Sequence, residues 1–229
     1  MRAMILAAGR GERMRPLTDS APKPLLTVGG KALIEYHIEA LAKAGAQDIV
    51  INLAWKGSML RDSLGDGTRF AVRLHYSDEG AEALETGGGV FNALPLLGAD
   101  PFIVVSGDIW TDYPLQRLFD RPHGADTAHF IMVPNPSFHP RGDFSLQDGR
   151  ISEAHAPRYT YANIGVFAAE FFAECEPGRF PLVPIMRRWI RENRVSGELY
   201  QGEWRNVGTP AQLAELDGFL REKRIADGG

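Results

Sequence analysis

A single cysteine, Cys175, is all the thiol chemistry this sequence offers, so no disulfide can close within the chain and no thiolate cluster can hold zinc. That poverty suits a reducing, cytoplasmic setting. There is no excess of positive charge either: 25 lysines and arginines against 29 acids leave a net charge of -4, which excludes the broad basic footprint of a nucleic-acid binder. The apolar start, "MRAMILAAG", is far too short to span a bilayer and runs into a charged loop instead of a signal-peptide cleavage site, so no membrane partner is expected. Six histidines show no two-histidine metal spacing, and no Gly-x-Ser-x-Gly elbow accompanies them. Repeats, Pro-rich linkers and charge blocks are missing too, which leaves no mark of a domain boundary.

What the sequence does contain is an ordinary globular balance, 44% hydrophobic and 24% charged, in 229 residues, enough for one substantial domain. Residues 2–8 are almost wholly apolar and end in small residues, as in a parallel strand covered on both faces. Next, "ALIEYHIEALAKAG" places Leu33, Ile34, Ile38 and Leu41 at helical spacing with Gly45 as the stop, and "DIVINL" reads as a strand. The alternation continues through "WKGSMLRDSLG" (helix), "FAVRLHYS" (strand), "TGGGVFNALPLL" (helix) and "PFIVVSGD" (strand), which predicts a mainly parallel, doubly wound sheet. Past Pro114 strands dominate: "DTAHFIMV", a hairpin turning at Asp148-Gly149, and "YTYANIGVFAA". Two amphipathic helices, "PLVPIMRRWIRENR" and "TPAQLAELDGFLREKR", follow. Trp55, Trp110, Trp189 and Trp204 are expected to serve packing, because no basic stripe accompanies them.

Four segments carry residue types suited to chemistry. In "LAAGRGERMRPLT", Gly9 and Gly11 begin a dinucleotide-type turn, but Met14 replaces the third glycine and Pro16 blocks an immediate long helix. With no Gly-Lys-Ser/Thr ending it is not a P-loop; Arg10, Arg13 and Arg15, with Lys23 in "APKPLL", suit a triphosphate cradle or else a solvated basic loop. In "VVSGDIWTD", Asp108 ends a buried strand, where one carboxylate could bind Mg2+ or merely cap a turn, the role assigned to Asp112. The glycines of "LETGGGVFNAL" would let a base or ribose lie on bare backbone, with Thr86 as N-cap, or form a plain connector. In "EWRNVGTP", Thr209 is the expected N-cap of a helix begun by Pro210, and Asn206 is an uncharged Mg2+ ligand or a structural residue.

In that order and spacing, "LAAGRGERMRPLT", "PKPLL", "VSGD" and "WRNVGTP" closely resemble the sugar-1-phosphate nucleotidyltransferases. The resemblance implies a Rossmann-like three-layer α/β fold with a mainly parallel mixed sheet: one domain over 1–229, a nucleotide-binding half to about residue 112 and a strand-rich, sugar-binding half beyond. It implies transfer of a nucleotidyl group to a sugar 1-phosphate, with Mg2+ present and pyrophosphate released. Carried over by position, the nucleotide site is Ala8, Gly9, Gly11, Glu12, Arg13, Lys23, Thr86, Gly87, Gly88 and Ser106. Arg13 would hold the departing pyrophosphate, Lys23 would meet the phosphates at the reacting centre, and Asp108 with Asn206 would face Mg2+.

Within the family, "LETGGG", "GDIWTDY", "RGDF" and "VSGE" look most like the branch that uridylylates N-acetylmuramic acid α-1-phosphate in peptidoglycan recycling, and no hexapeptide repeat is present. The implied substrates are therefore UTP and that sugar 1-phosphate, bordered by Arg141, Gly142, Glu153 and Asn163, in a monomer or small homo-oligomer. The alternatives are another hexose or heptose 1-phosphate, or a nucleotide-sugar binding protein weakened in catalysis. Two departures from the family pattern stand out. "SEAHAP" offers Ala154 and His155 where many relatives carry a sugar-phosphate lysine, leaving Arg141, Arg158 or Arg205 to substitute; and Asn206 occupies the position of a second Mg2+ carboxylate.

Overall fold

A computed structural model describes every residue but 81, 122, 123, 228 and 229, and every side chain among these except those of 226 and 227. In chain order the elements are β1 (Ala3–Leu6), α1 (Leu17–Ser20), β2 (Thr27–Val28), β3 (Lys31–Ala32), α2 (Leu33–Lys43), β4 (Asp48–Leu53), α3 (Gly57–Leu64), β5 (Arg73–Asp78) and α4 (Glu85–Leu97). These are followed by β6 (Phe102–Ser106), β7 (Ile109–Thr111), α5 (Gln116–Asp120), β8 (Ala128–Val133), β9 (Phe144–Gln147), β10 (Arg150–Ser152) and β11 (Arg158–Phe167). The chain continues through α6 (Val183–Arg191), β12 (Val195–Leu199), β13 (Trp204–Asn206) and α7 (Pro210–Asp227).

One sheet crosses both halves of the chain in the order β5-β4-β1-β6-β11-β8-β12-β10-β9. The first four strands are parallel, whereas β11 runs antiparallel to both β6 and β8. Because alternate strand residues face opposite ways, Ile5, Ile49, Ile51 and Val105 meet Ile34, Ile38 and Leu41 of α2 and Leu60 and Leu64 of α3 on one face. Met4, Val50 and Val104 meet Val90, Ala93 and Leu97 of α4 on the other, where Phe102, Phe130, Phe167 and Trp189 continue the core. Each valine, leucine, isoleucine, methionine or phenylalanine buried here contributes about 1.5–3 kcal/mol. The mixed, mainly parallel three-layer α/β arrangement is the one the sequence implies.

Local signals behave as their chemistry predicts. Asp148 and Gly149 both adopt positive φ, 50° and 75°, as the two-residue turn between β9 and β10 requires. Gly45, at φ 103°, ends α2. Thr209 Oγ1 accepts the Gln212 N–H at 3.3 Å, capping α7. Asp112 Oδ1 accepts the Glu203 N–H at 2.9 Å, so it ties down a turn. The expected cap at Thr86 is a correction: α4 starts at Glu85, leaving Thr86 inside the first turn, and no side chain caps the helix. Among the described residues no helix is long and apolar enough to cross a membrane.

The placement of the helices creates a crevice. The chain leaves β1 for α2 on one face, while α4 on the opposite face leads into β6, so the strand order reverses between β1 and β6. Ligands of open α/β sheets bind at such a reversal, outside the carboxyl ends of the strands. A third apolar cluster closes the end of that crevice: Met14, Val28, Leu33 and Trp110 pack with Val207, Leu213, Leu216 and Leu220, seating α7 on the glycine loop and the β2–β3 hairpin.

Two buried histidines carry a pH dependence. His37 lies beneath the crevice with Nε2 2.8 Å from the Ile109 carbonyl, and burial pushes its pKa down to about 4 against the opposing pull of that carbonyl and of Asp108. His129, buried in β8, is pushed down to about 3 by burial and then by Arg121. Both folded values lie below the unfolded one near 6.5, so the unfolded chain binds more protons and stability drains away as pH falls below about 6.5. The unfolding free energy from urea denaturation should be level between pH 8 and 7 and fall between pH 6.5 and 4, by up to about 1.4 kcal/mol per pH unit for each histidine. A level profile down to pH 4.5 would contradict the assignment.

Candidate active site

At the strand reversal lies a cleft of about 610 Å³. Its walls include Leu6, Ala8, Gly9, Gly11, Glu12, Arg13, Lys23, Thr86, Ser106 and Asp108, so most of the nucleotide-site residues inferred from the sequence meet in one place. Gly11 makes the loop possible. It has φ 63°, and a Cβ there would come within 2.9 Å of Thr18 Cγ2 and 3.2 Å of Lys23 Cβ. Its carbonyl accepts the Thr18 hydroxyl at 2.9 Å and the Met14 N–H at 2.8 Å. The loop thus turns back in a single 3-10 turn, Glu12–Met14, and Met14 is driven fully into the third core cluster. That explains why a third glycine is absent: the position is an anchor for α7.

Lys23 is buried to 8% exposure, and its Nζ lies 2.9 Å from Asp108 Oδ2. On the other oxygen, Asp108 accepts the Ser106 hydroxyl at 2.7 Å. The carboxylate is ringed by protein yet open to the cleft, with 37% of its side chain exposed. Burial alone would raise its pKa; the Lys23 ammonium, with the hydrogen bonds from Ser106 and Lys23, outweighs that and holds the acid below its ordinary value. Antiparallel pairing of β13 with β7 sets Asn206 opposite Ile109, one residue from Asp108, and the Val207 N–H donates to the Asp108 carbonyl at 2.8 Å. A Cβ at Gly208 would lie 3.0 Å from Asn206 Nδ2 and 3.3 Å from Arg13 Nη2, so the amide and the guanidinium converge on Gly208 at the cleft wall.

This donor set fits Mg2+. Among the described residues no three His, Cys, Asp or Glu side chains converge. A hard cation would use the Asp108 carboxylate and complete its shell from phosphate oxygens and water; Asn206, whose amide lies beside Gly208 but which does not itself line the cleft, would add at most a neutral oxygen.

Sequence reasoning missed the network that fixes the cleft's back wall. Asn52, 3% exposed at the end of β4, accepts the Ala7 N–H at 2.6 Å and donates to Glu79 Oε1 at 2.6 Å. Glu79 Oε2 accepts the Leu84 N–H at 2.7 Å. Three chain segments are so joined: the glycine loop, the end of β5 and the entry to α4. The only signal was a polar residue within the apolar run "DIVINL". Gly87 and Gly88 correct another expectation. Both are buried off the cleft, where Cβ atoms would strike Phe180 at 2.6 Å and the Gly178 carbonyl at 2.2 Å, and the Gly88 N–H is bonded to the Phe180 carbonyl at 3.0 Å. These glycines admit a neighbouring segment, and neither lines the cleft.

Beside the cleft, and sharing Leu6, Glu85 and Thr86 with it, is a second cavity of about 280 Å³. Its walls are mostly apolar, with Val104, Leu182 and Met186 facing Tyr161 and Asn163. Asn163 sits at φ 58° within an irregularity of the β11–β8 pairing, which turns it outward into this space. The other sugar-side residues lie apart. Arg141 and Gly142 belong to a loop outside both cavities, and Gly142 serves that loop's shape, at φ 60° beside Asn135. Glu153 pairs with Arg187 at 3.1 Å. Arg158 donates to the Glu153 carbonyl at 2.7 Å, and Arg205 is stacked on Phe219 at 4.1 Å. None of the three arginines weighed as a substitute for the sugar-phosphate lysine lines either cavity.

Comparison with known proteins agrees with this geometry. A family model for nucleotidyl transferases matches residues 2–140. The chain is 46% identical over 226 residues to the N-acetylmuramate alpha-1-phosphate uridylyltransferase of Neisseria meningitidis, covering 96% of this chain and 98% of that one. To the Caulobacter vibrioides protein of the same name it is 35% identical, covering 96% and 97%. Among solved structures, a candidate glucose-1-phosphate thymidylyltransferase from Bacillus anthracis in complex with sucrose superposes with TM-score 0.86 at 21% identity, over 97% of this chain and 96% of that one. A UDP-glucose pyrophosphorylase complexed with UDP-glucose gives 0.80 at 18% identity, over 97% and 99%. These two share the fold.

The loop geometry makes a paired prediction. Gly11→Ala combines positive φ with a contact on Thr18 and should cost about 1–3 kcal/mol in urea denaturation. Gly9→Ala meets no atom within 4 Å and should change stability by less than about 0.5 kcal/mol. Equal effects would show that the loop is not held as described.

Proposed function

The chain belongs to the nucleotidyl transferase family, and on that premise we propose that it transfers UMP from UTP to N-acetylmuramic acid α-1-phosphate, giving UDP-N-acetylmuramic acid and pyrophosphate in peptidoglycan recycling. The observation that carries the reaction is the joined pair of cavities: one walled by the Gly11 loop, Arg13, Lys23 and Asp108, the other by apolar residues and Asn163. The near full-length identity to two relatives of that activity supports the choice of sugar.

In this reading the triphosphate lies along the glycine loop and the sugar occupies the smaller cavity. A phosphate oxygen of the sugar attacks the α-phosphorus of UTP; the new P–O bond forms as the bond to the β-phosphate bridge breaks, and pyrophosphate leaves with the electron pair. No protein nucleophile is needed. The difficulty is bringing one anion onto another, so fixed positive charge and position carry the catalysis. Lys23, anchored by Asp108 and packed under Gly11, offers its ammonium without reorganising. Arg13, on the cleft wall beside Gly208, would hold the departing pyrophosphate. Mg2+, when bound with Asp108, Asn206 and phosphate oxygens, supplies further neutralising charge.

Pyrophosphate release, measured with UTP, Mg2+ and a panel of sugar 1-phosphates, tests this directly. Turnover should be greatest with N-acetylmuramic acid α-1-phosphate, and Lys23→Met should lower kcat by about 100-fold or more. Release with none of the sugars would remove the transferase reading; release only with a hexose or heptose phosphate would remove the sugar assignment. In a Mg2+ titration, Asn206→Asp should lower the half-saturating concentration, since a carboxylate binds the ion better than an amide. An unchanged titration would place Asn206 outside the ion's shell.

A further inference from the structure

Glu85 has φ 61° at the first residue of α4, a conformation that suits glycine and strains other residues. Its one ion pair among the described residues, with Arg179 Nε at 3.0 Å, joins side chains that are 39% and 63% exposed, and pairs that open to solvent stabilise a fold very little. Neither backbone nor ion pair accounts for a glutamate there. Its position does, because Glu85 lines both the cleft and the second cavity.

Arg179 holds the carboxylate from a neighbouring segment. The segment around it is strapped to the start of α4 by the bonds from the Gly88 N–H to the Phe180 carbonyl, 3.0 Å, and from the Phe180 N–H to the Leu84 carbonyl, 3.1 Å. The residues that follow, Pro181, Leu182 and Val183, wall the second cavity alone. The ion pair therefore ties Glu85 to the segment that runs into the second cavity's wall. A bare carboxylate would repel both anionic substrates, and the guanidinium offsets that charge. Arg179 occupies Oε1; among the described residues, Oε2 accepts no hydrogen bond. An ionised carboxylate only accepts, and a sugar presents hydroxyl and acetamido N–H donors.

We propose that Glu85 is a specificity-determining residue for the sugar 1-phosphate, its free oxygen accepting a hydrogen bond from a sugar hydroxyl or N–H, with Arg179 as the positioning residue. This rests on the reaction assigned above.

The test compares wild type with Glu85→Gly, Arg179→Met and Arg179→Lys, measuring KM separately for UTP and for N-acetylmuramic acid α-1-phosphate, together with thermal unfolding and calorimetric binding of the sugar 1-phosphate. Glu85→Gly should unfold at the same or a higher temperature, because glycine relieves the strain, while its sugar KM rises about tenfold, as loss of one charge-assisted hydrogen bond predicts. Its UTP KM should stay within about twofold. Arg179→Met should raise the sugar KM, and Arg179→Lys should restore most of it. An unchanged sugar KM in Glu85→Gly, or a parallel rise for UTP, overturns the proposal. If wild type releases no pyrophosphate, the reaction assignment fails alone, and the calorimetric comparison judges Glu85: weaker binding by Glu85→Gly supports its role, equal binding or none by wild type overturns it.

Discussion

Lys23 and Asp108 stand 2.9 Å apart at the floor of the cleft, and the rest of the site is built so that this contact can exist. A buried ammonium and a recessed carboxylate each lose hydration, and their attraction offsets that loss only if other groups complete the polar shell. Ser106 does so on the carboxylate. Gly11, free of a side chain, lets the loop pass over the lysine stem, and the prolines on either side of Lys23 hold its backbone in a short 3-10 turn. The result is a positive charge fixed before any substrate arrives, next to a carboxylate that can share a cation with phosphate oxygens.

The same contact links distant parts of the chain. Asp108 leads into β7, whose partner β13 carries Asn206 and runs into α7; α7 in turn packs on Met14, in the loop that covers Lys23. Nucleotide loop, metal-ligand candidates and C-terminal helix therefore form one closed circuit of contacts. Apolar burial holds it on the outside, and the bonds among Ala7, Asn52, Glu79 and Leu84 hold it at the back. Loosening α7 would be felt at Arg13 and Lys23.

Features with local causes were legible in the sequence. The strand–loop–helix order, the Asp148-Gly149 turn and the Thr209 cap each follow from residue type and spacing. What was not legible depends on partners far along the chain. A glycine states that space is needed but not what fills it, so Gly87 and Gly88 looked like a ligand platform when they admit the segment around Phe180. Nothing in "DIVINL" tells that Asn52 joins Ala7 of the glycine loop to Glu79 at the end of β5. The positive φ of Glu85 has no local signature in "LETGG", and Arg141 and Glu153, carried over by resemblance, lie outside both cavities because the segments holding them pack elsewhere.

The account's central claim is the division of labour between the two cavities, and a crystal structure with bound UDP-N-acetylmuramic acid tests it most directly. The diphosphate should lie within reach of Lys23 and Arg13 beside Asp108, with the sugar ring in the smaller cavity against Asn163 and Glu85. A sugar bound instead beside Arg141 and Glu153, or a diphosphate remote from Lys23, would contradict it.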